Sequence, residues 1–283
     1  MKTESFKQRV KSVLTVGLIS KIGHVAVVSG LTVLTQIGGV LWILNFGFFS
    51  FKKKEIAFWK RLLSYAGLYI LSTLLVVPRI AQLNGRVALP LFETEHLAPH
   101  NLITPFLNRH YVKPLLKEQL EGIAIEMNAG NSKLRVSYLD ANFPFFDGFP
   151  LLPHLSHNDG KKIDLSFYYV SDGKEGNLKP SNSGYGKFVE PKSSEFSQAE
   201  QCISNGYWHY GYTEYLSLGG NDNLEFDPKN TKMLIDLIVA NPLPQKVFIE
   251  PHLKSRMRLM NPKIRFHGCR AVRHDDHIHY QID

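Results

Sequence analysis

The sequence predicts an α+β fold: a small antiparallel sheet with flanking helices and a long irregular loop region, preceded by a two-helix transmembrane hairpin. Three observations carry this expectation. Two long uncharged stretches lie within the first 90 residues. Short alternating segments rich in β-branched and aromatic residues recur later in the chain. They do not alternate with helices in a βαβ rhythm, which favours a largely antiparallel sheet.

Charge divides the chain at the same place. The 283 residues carry 33 Lys and Arg against 25 Asp and Glu, a net charge of +8, with 44% hydrophobic residues. A disordered chain would be poorer in apolar residues. Two Cys are too few for a disulfide scaffold. A pI near 9.3 suggests nucleic-acid binding, but the charge is not spread that way. Residues 1–90 hold 12 basic and two acidic residues; residues 91–283 hold 21 basic and 23 acidic. The basic excess therefore belongs to the first third, and no nucleic-acid partner is expected. Eleven of the 12 His lie after residue 90, only His24 before it.

Residues 1–90 read as a membrane region, with spans at about 25–49 and 61–80 and a basic loop at 52–60. Residues 25–51 are uncharged over 27 positions, and about 20 such residues cross the hydrocarbon core as a helix. Residues 62–77 are uncharged over 16, with Arg61 and Arg79 able to snorkel at the ends. The first stretch does not have the form of a cleavable signal peptide. The positive-inside rule makes the basic loop cytoplasmic. The protein is then a multi-pass protein of the cytoplasmic (inner) membrane, anchored in the lipid bilayer through two N-terminal helices. Its C-terminal domain, residues 91–283, lies in the periplasm or faces the cell wall. Residues 5–23 carry Lys7, Arg9, Lys11 and Lys21 and suit an interfacial amphipathic helix; a crossing by that stretch would invert the orientation.

The remainder suits one domain. Residues 106–128 predict a helix started or interrupted near Pro114, with Leu115, Leu116, Leu120, Ile123 and Met127 at helical spacing. Residues 134–140 and 162–170 alternate as strands. Residues 171–231 are rich in Gly, Ser, Asn, Pro and Lys and predict a long loop. Residues 231–241 predict a helix stopped by Pro242, and residues 246–250 and 277–282 two further strands.

Chemistry-bearing residues gather in two segments. Residues 153–167 contain His154, His157, Gly160 and Asp164, and residues 273–282 contain His274, His277 and His279. Five His and one Asp are a metal-site composition. His277 and His279, two apart on a strand, leave the same face. The turn Asn158-Asp159-Gly160 allows His157 and Asp164 to converge. Two His and one Asp leave a fourth position open, as hydrolytic zinc sites do and closed structural ones do not.

Here the sequence resembles a known family. His154, Ser156, His157, Gly160 and Asp164 match H-x-S-H-x-x-G-x-x-x-D, and His274, His277 and His279 match H-x-x-H-x-H. The pair is similar to the penicillin-insensitive murein endopeptidases, within the group of D-Ala-D-Ala metallopeptidases and lysostaphin-type enzymes. Residues 246–257 also resemble that family's strand and helix before the last motif. The likeness covers residues 134–283, and the chain departs from related D,D-peptidases at Leu155 and Lys162. The resemblance implies one Zn2+ per chain on His157, Asp164 and His279, and catalytic roles for His277 and His274. One of these two would be the base and the other would stabilise the oxyanion. His154 would contact a ligand or the substrate. The implied reaction is hydrolysis of peptidoglycan stem or cross-link peptides by a zinc metallopeptidase. Alternatives are a D,D- or L,D-carboxypeptidase and a catalytically silent zinc-binding domain that recognises wall peptides.

The other candidates have plainer readings. Asp275 and Asp276 are expected to be solvated, unless one orients a ligand His. Arg135, Arg270 and Arg273 could grip a peptide carboxylate but read as surface charges, except that Arg273 adjoins the second motif. The aromatic run Tyr207, Trp208, Tyr210, Tyr212 and Tyr215 reads as packing of the long loop rather than a substrate platform. In an oxidising compartment Cys202 and Cys269 form one disulfide, the alternatives being free thiols or Cys269 as a metal ligand. His96, His100, His110, His209, His252 and His267 match no motif.

Overall fold

The computed structural model describes residues 21–51, 56–243 and 245–283. Most of the expected interfacial stretch 5–23, and Lys52–Lys54 of the basic loop, lie outside them. The chain forms two compact units divided between Val77 and Pro78.

The described part of the first unit begins with α1 (Lys21–Thr35) and α2 (Gly38–Phe51). The uncharged stretch expected to span as one helix is thus broken. Thr35 causes the break: its Oγ1 donates to the Leu31 carbonyl at 2.7 Å and accepts from Gly38 N–H at 2.9 Å. Gln36 between them takes a left-handed φ of 64°. A two-helix transmembrane hairpin is therefore not what forms. Next come α3 (Phe58–Leu71), a π-helical turn at Ser72–Val76, and α4 (Val77–Leu83). They make one helix, Phe58–Leu83, of 26 residues, the one helix among the described residues that is long and apolar enough to cross a membrane. Pro78 accounts for the π turn, because proline offers no N–H and its ring crowds the carbonyl four residues back.

The second unit is α+β. Its remaining elements are β1 (Val87–Ala88), β2 (Leu97–Pro99), α5 (Ile103–Phe106), β3 (Tyr111–Val112), α6 (Pro114–Gly130), β4 (Val136–Tyr138) and β5 (Lys162–Ser166). They continue with β6 (Tyr169–Ser171), β7 (Lys174–Gly176), α7 (Gln198–Ser204), β8 (Glu225–Phe226) and α8 (Pro228–Ala240). The last are β9 (Gln245–Phe248), α9 (Pro251–Arg256), β10 (Ile264–Arg265) and β11 (His277–Ile282).

The main sheet has the order β10-β9-β11-β5-β4-β2. Its inner pairs are antiparallel, and only the edge pairs β10–β9 and β2–β4 are parallel. Both helices expected from sequence form. Pro114 starts α6 at its first turn, where its missing N–H costs nothing. Asp227 caps α8, accepting from the N–H groups of Lys229 and Asn230. Their buried sides, Leu116, Leu120 and Met127 on α6 and Leu234, Ile235 and Ile238 on α8, join Ile163, Leu165, Ile278 and Tyr280 of the sheet in one core. Each such side chain contributes ~1.5–3 kcal/mol by leaving water. This core occupies one face of β5 and β11, so the intervening residues, Asp164, His277 and His279, point to the other.

Two expectations are corrected. The strand expected over 162–170 ends at Ser166, and Tyr169–Ser171 joins a separate sheet of order β7-β6-β8. The segment 171–231 is not a bare loop. It holds β7, α7, a 3-10 helix at Trp208–Leu216 and β8. Ser197 caps α7 by accepting from Glu200 N–H. The rest is fixed by long-range contacts that local composition does not reveal.

Candidate metal centre

The site is built on the register of β5 and β11. His279 pairs directly with Asp164, and His277 with Ser166. Directly opposed residues of antiparallel strands share a face, so Asp164, His277 and His279 emerge together. His157 comes from the turn before β5. That turn closes at Gly160, whose φ of 81° is in the left-handed region. A Cβ there would press on Arg86 and Lys113 at 3.2 Å, which is why glycine stands between the two motif residues. Arg86, fully buried, donates to the Phe143 carbonyl and the Asp147 carboxylate and so ties the preceding loop down.

Three atoms converge. Asp164 Oδ1 lies 3.2 Å from His157 Nε2 and 2.9 Å from His279 Nδ1, and those nitrogens are 3.1 Å apart. A tetrahedral ion with ligands at about 2.0–2.1 Å has edges of about 3.3 Å, so the donor set fits such an ion. The tautomer of His157 supports the fit. Its Nδ1 is 2.7 Å from the Ala141 carbonyl and must donate, which leaves Nε2 bare towards Asp164. All three residues are buried. Burial alone would raise Asp164, but the adjoining His157, His277 and His154 hold it well below the usual carboxylate range. This buried anionic centre, shared by two imidazoles, can hold a metal ion.

His154 and His277 approach from the other side. His154 Nδ1 is 3.0 Å from Asp164 Oδ2 and 3.4 Å from Asp140 Oδ2. Burial works against its protonation, but those carboxylates push it up to about 9. His277 Nδ1 bonds Asp276 Oδ1, and its Nε2, buried without a partner, faces Asp164 Oδ1 at 3.7 Å. His154, Asp164 and His277 also stand close enough to share an ion. His274 is buried beside them, its ring 5.0 Å from that of His277 and 5.7 Å from that of His279. Burial, reinforced by these histidines, holds it well below the usual imidazole range. All six motif residues are therefore brought together.

Several residues play parts that the sequence does not announce. Asp275 and Asp276, expected in solvent, are buried. Asp276 orients His277 and accepts Gly186 N–H at 2.7 Å. Asp275 pairs with Arg273, which also bonds Glu190 and lies over Phe188 at 3.8 Å; Arg273 is thus committed and not a surface charge. Tyr185 donates to Asp164 Oδ2 at 2.9 Å and has no motif to betray it. A cleft of about 410 Å³ opens onto the centre, lined by His154, His274 and His277 and walled by His209, Tyr212, His267 and Arg270. The aromatic run is divided. Tyr210 is buried and bonds Glu250, Tyr212 lines the cleft, and Trp208 and Tyr215 are exposed. The Cys202–Cys269 disulfide is formed.

No family model matches the chain, and no curated protein matches it.

Proposed function

We propose that this chain is a membrane-anchored zinc metallopeptidase that hydrolyses peptide bonds of peptidoglycan, with cross-link cleavage by a D,D-endopeptidase reaction as the favoured activity. One observation carries the reading: His157, Asp164 and His279 converge at ligand spacing, while His277, held by Asp276, aims its unpartnered Nε2 at the same centre. A purely structural site needs no such third imidazole. Zinc is the metal favoured by an open set of two His and one Asp. When bound, it supplies Lewis acidity to a scissile carbonyl and a nucleophilic water near neutral pH.

The protein side chains do the rest. His277 Nε2 takes a proton from the nucleophile and returns it to the leaving amine, with Asp276 fixing its ring and stabilising its charged form. His274, kept neutral by burial, donates a hydrogen bond to the developing oxyanion. Tyr185 holds the second oxygen of Asp164 and leaves the first beside His157 and His279, the three residues that would hold the metal. The murein resemblance of both motifs supplies the substrate class. The helix Phe58–Leu83 would anchor the domain, the basic residues before it would lie on the cytoplasmic side, and the catalytic domain would face the wall.

A carboxypeptidase reading is favoured by Arg270, an exposed guanidinium on the cleft wall that suits a terminal carboxylate. Digestion of purified peptidoglycan, with metal content measured on the same sample, separates the readings. Loss of cross-linked dimers supports the endopeptidase, and loss of one terminal residue supports the carboxypeptidase. Bound zinc with no product would mean a binding domain.

A further inference from the structure

We propose that residues 21–51 form a re-entrant hairpin, which enters a lipid bilayer and leaves by the same face, so that the chain crosses the membrane once through Phe58–Leu83. This does not depend on the peptidase reading.

Length is the first argument. Lys21 and Lys52 bound the apolar arms: 14 uncharged residues precede the turn at Gln36 and 15 follow it, so each arm is ~22 Å long as helix, short of the ~30 Å hydrocarbon core. The 26 residues of Phe58–Leu83 reach ~39 Å. The two short helices also fold back on each other. Trp42 Nε1–H donates to His24 Nδ1 at 3.0 Å. A Cβ on Gly39 would overlap Thr32 Oγ1 at 2.0 Å and the Val28 carbonyl at 2.5 Å. Backbone approach that close needs glycine. The outer ends of α1 and α2 therefore lie together, with the turn at Gln36 as the far tip.

The tip is built for an apolar medium. Thr35 and Gln36 are 3% and 6% exposed. Thr35 satisfies Gly38 N–H and the Leu31 carbonyl, and Gln36 N–H reaches the Thr32 carbonyl at 2.8 Å. Inside a bilayer, backbone groups must find such partners within the protein. Around the turn, Val33, Leu34, Val40, Ile43 and Leu44 are exposed. Their partner is lipid.

Depth follows from contacts with α3. At the base, Asn45 donates to the Arg61 carbonyl at 2.9 Å and accepts from Ser64 at 2.8 Å. Near the tip, the Tyr65 hydroxyl donates to the Gly38 carbonyl at 3.3 Å. Tyr65 lies in the first half of the long helix, so Gly38, two residues past the turn, sits beside that half. Trp59, 71% exposed beside Lys60, marks the interface end.

Charge decides between one crossing and two. Two crossings would put Lys2, Lys7, Arg9, Lys11 and Lys21 opposite Lys52, Lys53, Lys54, Lys60 and Arg61. That would erase the asymmetry that orients membrane proteins. A re-entrant hairpin gathers all ten on one face, against the anionic cytoplasmic leaflet.

Thiol accessibility tests this in the full chain. Its two native Cys are joined in a disulfide, so one introduced Cys is the sole free thiol. Lys21→Cys, Lys60→Cys and Asn84→Cys replace exposed residues; Leu34→Cys probes the tip. Right-side-out and inverted vesicles of a bacterial cytoplasmic membrane are treated with a membrane-impermeant maleimide. Lys21→Cys and Lys60→Cys should react only in inverted vesicles and Asn84→Cys only in right-side-out ones. Leu34→Cys should react only after detergent. Reaction of Lys21→Cys and Lys60→Cys from opposite faces overturns the proposal. So does reaction of all three from one face, labelling of Leu34→Cys without detergent, or release of the chain by alkaline carbonate.

Discussion

Asp276 Oδ1 accepts the Nδ1–H of His277 and leaves His277 Nε2 facing Asp164 Oδ1 at 3.7 Å. Loss of the Asp276 carboxylate should therefore disturb proton transfer without touching the ligands. Asp276→Asn is expected to lower kcat by roughly 10²–10⁴, the usual share of a positioned base, with KM and zinc content little changed. Steady-state kinetics on a cross-linked stem peptide, with metal content measured in parallel, checks this. Equal loss of metal would instead make His277 a ligand, the alternative its closeness to His154 and Asp164 allows.

The ligand set makes a sharper demand. His279→Ala removes one of three converging donors and leaves Asp164 short of a partner at 2.9 Å. Bound zinc should fall from about one per chain to near zero. Chelation of the unaltered protein should lower Tm, because an ion that binds only the folded state stabilises it by mass action. At a free metal concentration 100 times Kd the effect is about 2.7 kcal/mol. A Tm indifferent to chelator would argue that the centre holds no ion.

The sequence made this centre legible because β geometry is strict. H-x-H on a strand gives two imidazoles on one face, and Ile278 and Tyr280 between and after them mark the core face. The convergence of His157 on Asp164 was readable from Asn158-Asp159-Gly160, since a turn there reverses the chain. Tyr185 was not readable: it comes from an irregular segment, and only tertiary folding brings it to Asp164. Asp275 and Asp276 misled for a related reason. An acidic pair before a strand reads as solvated until Arg273 and His277 are seen to neutralise it. In the N-terminal unit the absence of charge was visible, but hydropathy does not register the cap by Thr35 that breaks the helix.

Two buried histidines outside the centre predict the acid response of the domain. Burial lowers His100 to about 4 and His110 to about 3. An unfolded histidine takes up its proton near pH 6.5, so across the window from about 6.5 to about 4 the unfolded chain binds more protons than the folded one. Stability contributed by the neutral forms is full above pH 6.5 and is lost as pH falls through that window. Each histidine should contribute on the order of 3 kcal/mol to the loss at pH 4. His100→Gln can keep an N–H for the Ser181 carbonyl, now met at 2.9 Å, but cannot titrate. Urea unfolding at pH 7 and pH 4.5 should show a difference smaller by about 2 kcal/mol in this variant. An unaltered difference would place the acid sensitivity elsewhere.

The disulfide joins two walls of the same cleft. Cys202 lies on α7, just before the 3-10 helix that carries His209 and Tyr212, while Cys269 precedes Arg270. The bond closes a loop with a sequence separation of 67, for which chain entropy gives about 4 kcal/mol. Cys202→Ala should therefore lower Tm by roughly 10 °C in a domain of this size. The ligand strands β5 and β11 are held by the main core rather than by this bond, so zinc content should survive. The cleft wall should not: without the cross-link, Tyr212 and Arg270 lose their fixed spacing, and KM should rise more than kcat falls. Kinetics, metal content and Tm of the variant under oxidising conditions separate these effects. An unchanged Tm would show that Tyr210, packed with Cys202 and bonded to Glu250, anchors that wall without the covalent bond.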